Sequence, residues 1–208
     1  MLTDFSINEL QTGDIILVND YKPGLFGMFL SMIRYGTHSN YVHAGMVIKD
    51  PTFLDTPLKG IYLWESGYEG TPDPQDGKIK LGIQLTSFET IKNNYQDANF
   101  YVRRLEDNSI FTDKVLKQIH EKIYNVPYDI NPIDWVLAFF KRDIHPQKVT
   151  RFWCSAFVGY ILTRVGVLKR NTDWSIMYPS DFALDGENLE YTDINKNKFC
   201  SYEYKIVL

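Results

Sequence analysis

One apolar stripe late in the chain restricts the fold more than any other feature. Counting from Cys154, the residues Phe157, Val158, Ile161, Leu162 and Val165 recur at the three-and-four spacing of a helix face. Gly166 supplies a stop. The helix so predicted, from Cys154 to Gly166, must lie against a core, and Cys154 heads the buried face. The unpaired N–H groups and dipole of a helix N-terminus favour an anion, which draws a thiol there towards its thiolate. Free cysteine is also among the most buried residue types, so the stripe alone is equally met by an inert core thiol. A reactive sulfur needs a base, and that base must come from another element through space.

The rest of the chain reads as strands followed by helices. Asp14–Val18, after Gly13, is a continuous apolar run suited to a buried strand, and His43–Ile48 and Ile61–Glu65 read as two more. The spacing of Phe26, Phe29, Leu30 and Ile33 predicts a short helix over Gly24–Tyr35, stopped by Gly36. Asp50 to Gly60 reads as a loop. Gly67 to Gly82 is crowded with Gly, Pro and Asp, which predicts a long turn or flap outside the core, placed to cover a site. Asn99–Leu105 is a strand candidate, Thr112 caps a predicted helix through Tyr124, and Ile133–Phe140 is helical. Ser180–Phe182 begins a turn and Tyr202–Leu208 reads as a closing strand. The pattern predicts one α+β domain over 1–208, with a mostly antiparallel sheet packed against helices.

Bulk properties exclude several functions. A net charge of −4 gives no basic face, so no nucleic-acid partner is expected. Two cysteines, Cys154 and Cys200, form no disulfide framework, which predicts a reducing compartment. Met1–Phe5 lacks the layout of a signal peptide, and the longest apolar runs, near 25–33 and 133–140, are too short to span a bilayer. The expectation is a cytoplasmic protein with no transmembrane segment. Residues of metal-ligand spacing are missing, as is a glycine-rich phosphate loop, so no metal and no cofactor are expected.

Among four histidines, His43 is the candidate base. It opens its strand, and Glu65 ends the next. If these strands pair around residues 48 and 60, His43 falls directly opposite Glu65, within reach of a carboxylate–imidazole bond. The Glu65 carboxylate then fixes one ring nitrogen and the other faces Cys154. The bland alternatives are a hydrogen-bonded structural histidine and an exposed strand end. His38 lies in the loop before the strand, His145 precedes Pro146 in a loop, and His120 falls mid-helix on a predicted solvated face.

Cys154-Ser155-Ala156-Phe157-Val158 resembles the nucleophile helix of the NlpC-type cysteine peptidases of the papain-like superfamily. The order, with His43 ahead of Cys154, resembles the circularly permuted branch: YiiX-like hydrolases, their poxvirus relatives and the lecithin–retinol acyltransferases. Gly13–Ile16 is similar to the opening strand of YiiX-like proteins, Ser39–Val47 to their histidine strand, and Leu63–Ser66 to the acidic strand. Val126-Pro127-Tyr128-Asp129 and Tyr178–Asp181 are similar to segments flanking the cysteine helix. Two positions depart: Ala156 stands where many relatives have Glu, and Asn125-Val126 replaces the usual Gly before Pro-Tyr-Asp.

The resemblance implies a permuted papain-like fold in which Cys154 is nucleophile, His43 general base then acid, and Glu65 orienter. It makes Tyr128 and Asp129 tentative substrate-binding residues, a turn of purely structural use being the even alternative. Three classes of function follow. The first is a thiol hydrolase cleaving a peptide or peptide-like amide through a thioester, with the Cys154 N–H as one oxyanion donor. The second turns the same triad on an acyl-lipid substrate, with Phe26, Met28, Phe29, Met32, Trp135, Phe139 and Phe140 lining the mouth. The third is an inactive scaffold kept as an interaction module.

Overall fold

The computed structural model describes residues 2–19, 41–96, 98–128, 152–186, 189–193 and 196–207. In chain order these contain β1 (Leu2–Phe5), β2 (Ile15–Asn19), β3 (Tyr41–Lys49), β4 (Ile61–Gly67), β5 (Gly82–Ser87), α1 (Phe88–Asn94) and β6 (Asn99–Arg103). Then follow α2 (Asp113–Ile123), α3 (Cys154–Arg164) and β7 (Glu203–Ile206). The fold is mixed α+β. The seven strands form one sheet in the order β1-β7-β6-β2-β3-β4-β5, antiparallel throughout except for the β1–β7 pair. Among the described residues no helix is long and apolar enough to cross a membrane.

Apolar runs such as Ile15–Val18 and Ala44–Ile48 arise because the sheet is covered on both faces. One face carries Ile15, Leu17, Ala44, Met46, Ile48, Trp64 and Leu85, packed with Phe157, Val158 and Ile161 of α3 and Leu116 and Ile119 of α2. The other carries Ile16, Val18, Val47, Leu63, Phe100 and Val102, packed with Phe88 and Ile91 of α1. Asp14, at the head of β2, is fully buried; its carboxylate accepts from Arg104 and Asn108 and ties β2 to the chain leaving β6.

The β3–β4 register differs from the sequence expectation. The pairs run Met46↔Trp64 to Lys49↔Ile61, and the loop closes where Asp50 and Gly60 bond to each other through backbone and side chain. Pairing is therefore centred on 50 and 60 rather than 48 and 60. His43 is carried level with Gly67, two residues past Glu65. A slip of one residue would have turned His43 and Glu65 to opposite faces, but a slip of two leaves both on the α1 face.

Other expectations shift at their edges. The helix from Thr112 and the one from Cys154 stand, with Thr112 Oγ1 capping Val115 and Gly166 at φ +83 after the second. Strands β1 and β5 and helix α1 went unread: β5 begins at the residue taken as the end of the flap, and Ser87 caps α1 directly after it. The segments 24–35 and 133–140 lie outside the described residues.

Between Gly67, which ends β4, and Gly82, which begins β5, the chain is loop, as expected, but it is tied down. Asp73 is fully buried, accepting from Gln75, Lys80 and the Leu85 N–H. Gln75 bonds His120 of α2, and Asp76 bonds Tyr124 just beyond its end. His120 is thus not on a solvated face; it is half-buried between the rings of Phe53, Trp64 and Tyr124.

Gly82 is where three pieces of chain meet. It pairs with Gly67 on one side and bridges Pro127 on the other, while Tyr128 bridges Phe152, two residues before Cys154. Its φ is +148, and a Cβ there would lie 2.5 Å from the Val126 oxygen. Backbone cannot yield as a side chain can. Gly82→Ala is expected to cost about 2 kcal/mol or more of stability, read as a lower urea midpoint.

Candidate active site

β3 reaches the site through an irregularity. Its partner β2 pairs Val18 with His43 but Asn19 with Tyr41, leaving Val42 as an extra residue in a bulge. Bulges bend a strand and re-aim the side chains beside them. His43, next to this one, is 7% exposed, and Glu65 is completely buried. The His43 Nε2–H donates to Glu65 Oε2 at 2.5 Å, and Thr86 of β5 donates to the other oxygen at 2.6 Å. With one donor on each oxygen the carboxylate cannot rotate.

The residue level with His43 is Gly67, and a Cβ there would come 3.6 Å from His43 Cε1 and 3.7 Å from Glu65 Oε2, so it borders the bond at ordinary contact distance.

Cys154 arrives from the other face of the sheet. The β3–β4 pairing ends at Met46↔Trp64, and the N-terminus of α3 fits where the strands part. Ser66 Oγ donates to the Phe152 carbonyl at 2.7 Å. The Ala44 N–H, beyond the paired stretch, and the Ser155 N–H lie near enough to the Cys154 sulfur to favour its thiolate. The side chains flanking the cysteine, Trp153 and Ser155, both donate to the Met177 carbonyl, at 3.3 and 2.6 Å. The first helical bond is Phe157 N–H to Trp153 O, so the N–H groups of Cys154, Ser155 and Ala156 have no partner within the helix.

The Cys154 sulfur lies beside the His43 imidazole, within the reach over which each shifts the other's proton affinity. Because Nε2 is held by Glu65, the nitrogen left for Cys154 is Nδ1. Burial by itself would raise the thiol and lower the imidazole. The bond and charge of His43, aided by the two backbone N–H groups, overcome this and bring Cys154 below its ordinary value. Bonds from Cys154 and Glu65 likewise overcome burial and hold His43 well above its own. The pair is therefore drawn towards thiolate and imidazolium, in a site where Cys154 is 8% exposed.

Of the sequence-predicted residues, Cys154, His43 and Glu65 come together. Tyr128 is half-buried in the strip beside Phe152, at the entrance to α3. Asp129 lies outside the described residues, as do Phe26, Met28, Phe29, Met32, Trp135, Phe139 and Phe140 and the histidines His38 and His145. Among the described residues no group of His, Cys, Asp or Glu is arranged to hold a metal ion.

Three contributors went unread. Thr86 lies on a strand that the sequence reading did not assign. Glu69 follows β4 and is buried; its carboxylate accepts from Asn94 Nδ2 at 2.7 Å and from Tyr95 OH at 3.0 Å. Burial and the neighbouring Glu65 push it up to about 7, against the pull of His43, Asn94 and Tyr95. Tyr95 lays its ring against His43. The only sequence signal for these was proximity to Glu65 and to an unassigned helix. No family model matches the chain, and no curated protein matches its sequence.

Two outcomes follow. With His43 in place, Cys154 should be alkylated by iodoacetamide at about pH 6, below the range of an ordinary thiol. His43→Ala leaves only burial acting on the sulfur and should slow that labelling by about tenfold or more. The second concerns stability. Glu69 folded binds its proton up to about 7, against an ordinary 4.5, so its contribution is fully present below the ordinary value. That contribution is lost as pH rises through the folded one. Across this window the urea midpoint of the wild type should fall relative to that of Glu69→Gln.

Proposed function

We propose that this protein is a thiol hydrolase that cleaves an amide bond, peptide or peptide-like, through a thioester on Cys154. The observation that carries the reading is the sulfur–imidazole–carboxylate chain, Cys154 to His43 to Glu65, assembled from three elements around a helix N-terminus. His43 takes the thiol proton and the thiolate attacks the carbonyl carbon. The developing oxyanion meets the N–H groups of the first turn of α3, that of Cys154 foremost. His43 then protonates the leaving nitrogen, the C–N bond breaks and the acyl group stays on sulfur. Water, deprotonated by His43, releases the acid and restores the thiol.

The resemblance to permuted papain-like hydrolases of the NlpC type supports the same roles. In this reading the described sheet and α3 are the permuted papain-like core, and the Val126–Tyr128 strip beside Phe152 forms one wall of the substrate site. Both cysteines are free, which suits a reducing, cytoplasmic setting.

Cys154→Ala should keep the thermal unfolding of the wild type while lowering amide or ester turnover by roughly a thousandfold or more. In the wild type an electrophilic ester probe should add one acyl mass to a peptide containing Cys154. Turnover retained in the variant would end the proposal.

A further inference from the structure

We infer that Tyr95 is a positioning residue that holds the His43 imidazole in place while the sulfur is acylated; this rests on the hydrolase reading above. In the resting site His43 is held at two points, Glu65 on Nε2 and Cys154 on the other nitrogen. Acylation removes the second, because a thioester sulfur carries no proton and no charge. The imidazole is then left on Glu65 alone, free to swing about that bond, at the stage when it must activate water.

Among the described residues the aromatic ring stacked on it is Tyr95, with centroids 6.2 Å apart and planes 17° from parallel. That is an offset stack, and it attracts an imidazolium as well as a neutral ring. Tyr95 is itself anchored. Its hydroxyl donates to Glu69 Oε1, and Asn94 Nδ2 donates to Glu69 Oε2 and to the Glu69 carbonyl at 3.1 Å. Tyr95 also packs edge-on against Phe100, with centroids 6.5 Å apart. The ring is therefore fixed by partners that take no part in the thioester, and its hold on His43 persists when the Cys154 bond is gone.

The step affected is thioester hydrolysis. A water oxygen bonds to the acyl carbon as His43 takes one of its protons. The C–S bond then breaks with its electron pair going to sulfur, the carboxylic acid departs, and thiolate and imidazolium remain. Acylation starts from the doubly held ring and depends less on Tyr95. The two half-reactions should therefore respond unequally, which a general loosening of the fold would not produce.

The test is burst kinetics with p-nitrophenyl acetate on the full chain, comparing wild type, Tyr95→Phe and Tyr95→Leu. Tyr95→Leu, which loses the stacked face, should slow deacylation by roughly tenfold with acylation changed by no more than about twofold, so that acyl-enzyme accumulates. Tyr95→Phe keeps the ring but releases it from Glu69 and should slow deacylation by about threefold. If Tyr95→Leu does not fold, Tyr95→Phe alone decides. Deacylation at the wild-type rate in the folded variants, or equal losses in the two half-reactions, overturns the inference. A wild type with no burst that depends on Cys154 overturns the hydrolase reading instead.

Discussion

The parting of β3 from β4 beyond Met46 and Trp64 governs how the rest of the site is arranged. A fully paired sheet would present His43 and Glu65 on one face and α3 on the other, with a continuous layer of backbone between them. Where pairing stops, the Ala44 N–H is released from the ladder and turns to the Cys154 sulfur. The helix N-terminus enters the gap, held there by Ser66 on the Phe152 carbonyl. Sulfur and imidazole meet through the sheet rather than above it. The bulge at Val42 is a local adjustment that re-aims the neighbouring imidazole.

This arrangement concentrates charge where water is scarce. An anion and a cation buried together are tolerated only if each keeps its bonds, since an unpaired buried charge is far more costly than a paired one. The groups from Cys154 to Glu65 keep such partners: the Ala44 and Ser155 N–H groups near the sulfur, Cys154 and Glu65 about the imidazole, and His43 and Thr86 donating to the carboxylate. Glu69 completes the surroundings as a second carboxyl, which burial and the neighbouring Glu65 push up to about 7.

Much of this was legible in the residues. The three-and-four stripe after Cys154 marked α3, and Thr112 and Gly166 marked helix ends, because these signals are local. His43 and Glu65 could be joined because strand faces alternate, and a register wrong by two residues leaves that parity intact. The register itself was not legible, being set by the way Asp50 folds its side chain and backbone onto Gly60. β5 was hidden because its first residue, Gly82, reads as a turn and its polar Gln84 and Thr86 break the apolar run. His120 looked solvated among Lys and Glu, but the ring packing that buries half of it comes from Phe53 and Trp64, distant in sequence.

The spacing of the three elements along the chain also sets a sequence of assembly. During synthesis the imidazole and the Glu65 carboxylate emerge early and can pair within the hairpin of β3 and β4. The sulfur follows after a further ninety or so residues, a closure whose entropy must be overcome by packing the α3 stripe. Until that helix docks, the thiol has neither imidazole nor Ala44 amide beside it and behaves as an ordinary cysteine. Reactivity thus arrives together with the tertiary fold, and the nascent chain carries no activated nucleophile.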